Sequence, residues 1–382
     1  MSFYVVVAMT ILNHFAHKGG KLLIALYAIE FGAGPQIIGV LFSLNSFCSL
    51  VFAVYAGRAS DRFGSRIPLV LGSLGLGCGL LLPYFIPRLE TLFFAVMMTG
   101  ACYVFFQLAT QQLIGALGSG HQRTHKFGIY SLGTGLTALL GPVVAGFSID
   151  HIGHHLTFLL LGLAPIGSLL IMLMFSGSIP SGVSPVKREG HRAMDLLRNV
   201  ALRRALIAAG IIEAGGELYT FFMPIYGHAL GLSASLIGII IGTYAAASLL
   251  TRIVMPALVK RSSEETVLYI SLSVAGVACA LFPFATSVYL LAVISFVLGL
   301  GLGCCSPLSM ITVYNRAPAG RTGEALGLRF GATKFSEVAV PVIFGTLGSA
   351  FGLSPLFWLN AMLMMSGAFI MKADAGRSGR KS

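Results

Sequence analysis

The chain has 382 residues, 56 % hydrophobic and only 10 % charged, with a formal net charge of +12 and a mean hydropathy of +0.88. Soluble domains carry about 25 % charged residues, so the composition excludes a soluble enzyme or binding module and points to an all-α integral membrane protein. Nearly the whole length is apolar segment, which leaves no room for a separate soluble domain. The six cysteines all fall in apolar runs and read as small buried residues, not as a disulfide framework or a metal set.

Twelve apolar runs are long enough to cross a bilayer, for which about 20 residues are needed. They are 3–28, 36–57, 68–87, 91–117, 128–149, 155–176, 204–226, 235–258, 266–286, 288–313, 325–348 and 354–372. The first has no basic leader region and no cleavage site, so it is expected to stay as a helix. Nineteen lysines and arginines lie in the loops and tail on the N-terminal side of this path, against Arg88 alone on the other. That asymmetry places both termini in the cytoplasm, expected here at a cell inner membrane. The basic charge therefore reads as membrane topology, with anionic lipid and not nucleic acid as its partner.

Two six-helix bundles, 1–176 and 204–382 with a short basic tail, are separated by a cytoplasmic linker over 177–203. The bundles repeat. A shift of 199 residues aligns Tyr27 with Tyr226, Ile38-Gly39 with Ile237-Gly238, Arg62 with Arg261, Pro142 with Pro341, Gly146 with Gly345, Gly153 with Gly352 and Phe158 with Phe357. Duplicated six-helix units are a transporter architecture, with the binding site between the halves at the bilayer midplane.

Polar residues interrupt the apolar runs in a few places. In the first segment Asn13, His14, His17, Lys18 and Lys21 fall within one arc of a helix. Under the 199 shift His14 and Lys18 map to Glu213 and Glu217, which sit i, i+4 in the seventh segment with Thr220 continuing their face. Charge at membrane depth is costly and faces a partner or a water-filled path. Two readings stand. Either these acids and bases pair across the cavity or with neighbours, or one glutamate carries a proton while the cations bind an anionic or zwitterionic solute. The eleventh segment adds Arg329, Lys334 and Glu337; the last two are i, i+3 and able to pair within the helix. Arg252 is expected to snorkel.

The loop after the second segment reads Gly57-Arg58-Ala59-Ser60-Asp61-Arg62-Phe63-Gly64-Ser65-Arg66. It resembles the Gly-x-x-x-Asp-Arg-x-Gly-x-Arg signature of the major facilitator superfamily. The resemblance implies twelve helices, alternating access, a central cavity lined by the first and seventh helices, and a conformational gate at Gly57, Asp61, Arg62, Gly64 and Arg66. In that gate Gly57 would let two helices approach. Gly128, Gly141, Pro142 and Gly146 match in part the fifth-helix pattern of the family's antiporters, which adds Gly141 and Pro142 to the gate and favours export. Thr137 and Ala145 replace two glycines of that pattern. The fourth-helix arginine of drug/proton antiporters is missing, and Gln107, Gln111 and Gln112 stand there instead.

The expectation is a secondary transporter of a small organic solute. Protons are the coupling ion through Glu213 and Glu217, and Asn13, His14, His17, Lys18, Gln107, Gln111, Arg329 and Lys334 bind the solute. The chain is expected to work as a monomer without a cofactor. The alternatives are a symporter importing an organic anion and a transport-inactive sensor or partner subunit. An outer loop with Asp150, His151, His154 and His155 raises metal binding, but the pattern lacks a ligand motif and reads as a solvated loop. No phosphate-cradling loop is present, and no catalytic Ser/His/Asp grouping.

Overall fold

Helices form wherever the apolar runs predict them, because in lipid each backbone N–H and C=O must be satisfied within its own segment. The computed structural model describes residues 2–116, 120–174, 193–318 and 321–378, and among these there is no strand. The order is α1 (Ser2–Glu30), α2 (Pro35–Phe63), α3 (Arg66–Phe85) and α4 (Leu89–Ala116). Helical residues Gly120–Met174 are then divided at Gly153, whose φ of 81° and ψ of 166° are not helical, into α5 (120–152) and α6 (154–174). Next come α7 (Val200–Ala229), α8 (Ala234–Arg261) and α9 (Glu264–Leu281). Two runs broken at Cys304, Val288–Gly303 and Cys305–Arg316, make up α10, followed by α11 (Thr322–Phe351) and α12 (Ser354–Ser378). Most of the expected linker lies outside the described residues. Its end is a short 3-10 turn, Ala193–Arg198, and α7 starts at Val200, where the Asn199 side chain accepts from the amides of Ala201 and Leu202 (3.0 and 3.3 Å).

Nine described stretches are long and apolar enough to cross a membrane, one of them containing both α5 and α6. Helices α1 and α11 are not among them. Both carry charged or imidazole side chains singled out above, His14, His17, Lys18 and Lys21 on α1 and Arg329, Lys334 and Glu337 on α11.

The duplication is visible in the backbone. Gly32 and Gly231, 199 apart, have φ of 75° and 74°, and Gly153 and Gly352 have φ of 81° and 82°. At these positions a side chain is penalised. Gly32 and Gly231 close α1 and α7 with the same pair of bonds: Gly32 N to Ile29 O and Ala33 N to Ala28 O, Gly231 N to His228 O and Leu232 N to Gly227 O. Tyr27 meets Phe158 edge-on at 5.3 Å and Tyr226 meets Phe357 at 5.1 Å, a contact preserved by the shift.

The chain divides into two compact units, Met1–Lys187 with Gly227–Gly242, and Arg188–Tyr226 with Thr243–Ser382. The first therefore includes the end of α7 and the start of α8, which the repeat assigns to the second half. The reason is a seam of small residues. A Cβ on Gly146 would strike the Ala234 carbonyl, and one on Gly238 the Pro142 carbonyl. In lipid such close backbone approach substitutes for the missing hydrophobic drive.

A second seam holds α1. A Cβ on Gly141 would lie 3.0 Å from both Gly19 N and Phe15 O, and a Cβ on Gly19 would lie 2.9 Å from Gly141 O. These neighbours are backbone and cannot yield. Gly141→Val is expected to cost about 1–3 kcal/mol or more by overpacking, read as a lowered thermal unfolding midpoint. Gly57→Ala should not lower it, since a Cβ there meets nothing within 4 Å and alanine is the better helix former. Among the described residues, a Cβ on half-buried Gly57 has open space around it in this conformation.

Candidate functional site

In the first unit the polar arc of α1 fans out over several neighbours. Asn13 is fully buried and donates to Met9 O (2.9 Å) and to Ser168 Oγ on α6 (2.7 Å). His14 points to α5. Thr137 donates its proton to the Thr134 carbonyl (2.9 Å), which leaves its oxygen to accept from the His14 Nδ1–H at 2.7 Å. The threonine that departs from the family's glycine pattern is therefore the residue that orients His14. The His17 ring stacks flat on Tyr103 of α4, centroids 3.9 Å apart, and Lys21 Nζ lies 5.5 Å from the Phe42 ring of α2. His17, Lys21, Asn45 and Thr99 border a small, partly open pocket of about 20 Å³, room for about one water. Lys18 lies where α1 crosses α5, its Cβ beside Gly141. Gln107 and Gln111 are half-buried on α4.

The second unit holds the tighter constellation. Ser306 Oγ donates to Glu213 Oε1 at 2.7 Å, and Arg329 Nη2 approaches the same oxygen at 3.4 Å. Arg329 also donates to Ser306 O (3.0 Å), to Ser306 Oγ (3.1 Å) and to Ser309 Oγ (2.9 Å). The Glu213 and Arg329 side chains retain 25 % and 13 % of their exposure, so the pair is shielded but reachable. Helices α7, α10 and α11 each supply part of it.

The break in α10 makes this possible. Pro307 has no N–H to donate to the carbonyl of Gly303 one turn back, and the Arg252 Nε–H takes that carbonyl at 3.2 Å. Arg252, expected to snorkel, instead closes the broken turn that presents Ser306. Gly303 also packs its Cα face on Ser248, which brings α8 close enough for the bond. Ser306 and Ser309 were not picked out from the sequence; their signal is two serines one turn apart beside a proline inside an apolar run.

Lys334 pairs with Glu337 on its own helix (2.7 Å) and lies 5.8 Å from the Phe330 ring, as the i, i+3 spacing predicts. Ser336, between them, donates to Gly210 O (3.2 Å) and ties α11 to α7. Glu217 is half-buried. Thr220 continues the glutamate face in position, and its hydroxyl bonds back to Gly216 O and Glu217 O (3.1 and 3.0 Å), the usual recourse of a threonine within a helix.

Of the loop signature, Gly64 caps α2 with φ 73°, which calls for glycine. Arg62 is exposed over the Phe63 ring, and Arg66 begins α3. The Asp61 side chain lies outside what the structure describes. The outer cluster is not a loop. His151 bonds to Phe147 O (2.8 Å), His154 pairs with Glu30 (2.8 Å) and His155 faces the Tyr84 ring at 4.6 Å, so these side chains do not converge as one ligand set.

With this geometry in view, the sequence profile of the Major Facilitator Superfamily matches residues 6–228 and 205–381. The chain belongs to that superfamily. It is thus a multi-pass membrane protein and a transporter of small molecules across a lipid bilayer. It is similar to the multidrug resistance protein MdtG of Dickeya zeae, 22 % identical over 87 % of this chain and 82 % of that protein. It is also similar to the class B tetracycline resistance protein of Escherichia coli, 30 % identical over 38 % of this chain and 37 % of that one. A crystal structure of a POT family transporter with 5-aminolevulinic acid superposes with a TM-score of 0.82 over 98 % of this chain and 96 % of that one, at 16 % identity. That likeness is one of fold.

Proposed function

We propose that this chain is a proton-coupled exporter of a small zwitterionic or anionic organic solute, working by alternating access from an inner membrane with both termini in the cytoplasm. The observation that carries the reading is Glu213. It is a shielded carboxylate in mid-helix, held by one hydroxyl and one guanidinium, with enough exposure to exchange a proton. Similarity to drug and tetracycline resistance proteins supports export, and Arg329 and Lys18 supply the cationic character that a carboxylate or enolate would seek. Glu217 is the second candidate carrier.

A specific observation favours the reverse coupling as a second reading. Because Arg329 is shared between Glu213 and the serines, protonating Glu213 would release the guanidinium to an anion, so that proton and solute travel together. Everted membrane vesicles decide between the two, with tetracycline, a zwitterion, and a simple organic anion as solutes. An exporter accumulates its solute inside when the lumen is acid, and an uncoupler abolishes the accumulation. An importing symporter instead drives the solute out with the protons, a result that would overturn the export reading.

A further inference from the structure

We propose that Asp150, at the end of α5, is a latch that holds the start of α8 in this conformation and must let go for the opposite one to form. Its carboxylate accepts from two backbone amides of the first turn of α8, Ala234 N to Oδ1 at 3.1 Å and Ser235 N to Oδ2 at 2.8 Å. A negative charge there also meets the positive end of the helix dipole. The helix does not need Asp150 in order to begin, for Ser233 already accepts from Leu236 N through its own hydroxyl (3.3 Å). The carboxylate therefore does something that capping alone does not require: it docks α8 onto α5.

Behind the clasp the interface is made of small residues. Gly146 lies under the Ala234 carbonyl, Gly238 under the Pro142 carbonyl, and Gly242 against the Val143 side chain. Such a seam separates without dragging large side chains through one another, and in lipid it has no hydrophobic drive to stay closed. Two charge-assisted bonds at its edge, with a longer one from the Ser235 hydroxyl to Gly146 O (3.5 Å), add to that packing in keeping it shut. The docked stretch comes from the second sequence repeat, yet it clusters with the first unit. Asp150 has no counterpart in the duplication. Its mate under the 199 shift is Ser349, whose hydroxyl bonds back to Thr346 O on its own helix (2.8 Å). The device belongs to one half only, so it is not a requirement of the repeated fold. Beside it Glu30 pairs with His154, and Tyr27 lies 5.4 Å from that imidazole.

This latch rests on the alternating-access reading, but its test needs no solute and stands whichever solute or direction proves right. Hydrogen–deuterium exchange is measured on the full chain in lipid nanodiscs for the wild type, Asp150→Asn and Asp150→Ala. The expected result is that amides throughout 234–242 exchange faster together, by about tenfold or more in Asp150→Ala, and less in the isosteric Asp150→Asn, while 204–226 is unchanged. If Asp150→Ala does not fold, the same block-wise increase in Asp150→Asn supports the latch. Unchanged exchange, or an increase confined to the first turn at 234–237, overturns it and leaves Asp150 a local cap.

Discussion

Glu213→Gln is expected to abolish pH-driven accumulation of solute in everted vesicles while leaving the protein folded and present at wild-type level. The amide oxygen of glutamine still accepts the Ser306 hydroxyl and the Arg329 Nη2 that now meet Glu213 Oε1, so the local geometry survives and only the exchangeable proton is lost. Solute exchange down its own gradient, with no pH difference imposed, should therefore persist. A structural role would behave differently, since damage to the site would depress both modes together. Full pH-driven accumulation in the variant would remove Glu213 from the coupling step. Glu217→Gln in parallel separates the two glutamates, because coupling lost there but kept in Glu213→Gln would assign the carrier one turn further along α7.

What could be read in advance divides along physical lines. Helix existence followed from apolar length. The duplication followed from identities that recur at a fixed offset, and it reappears as paired glycines with positive φ and a repeated tyrosine–phenylalanine contact. Site residues were legible where a charged side chain stands in an apolar run, because its cost demands a purpose. Their partners were not, because a partner is chosen by tertiary contact. Ser306 is unremarkable in sequence, since serines within helices usually bond their own backbone. Arg252 looked like a snorkelling residue because nothing local shows that Pro307 leaves a carbonyl open four residues before it. Asp150 reads as part of a solvated loop because the apolar run ends at 149, whereas helix α5 continues past it up to Gly153.

Arg329→Met carries the largest expected cost in stability. It would leave Glu213 shielded, with its hydroxyl partner but without its cation, and breaking a buried pair from one side costs about 3–5 kcal/mol. Glu213 keeps a quarter of its exposure and the Ser306 bond, so the low end of that range is expected, measured as the shift in reversible denaturation in detergent. The double variant Arg329→Met, Glu213→Gln should recover most of the loss, because replacing both members of a pair removes the uncompensated charge. No recovery in the double variant would show that Glu213 and Arg329 do not depend on each other. The guanidinium would then be held by Ser306 and Ser309 alone, and the release of Arg329 on protonation of Glu213, on which the symport reading turns, would lose its basis.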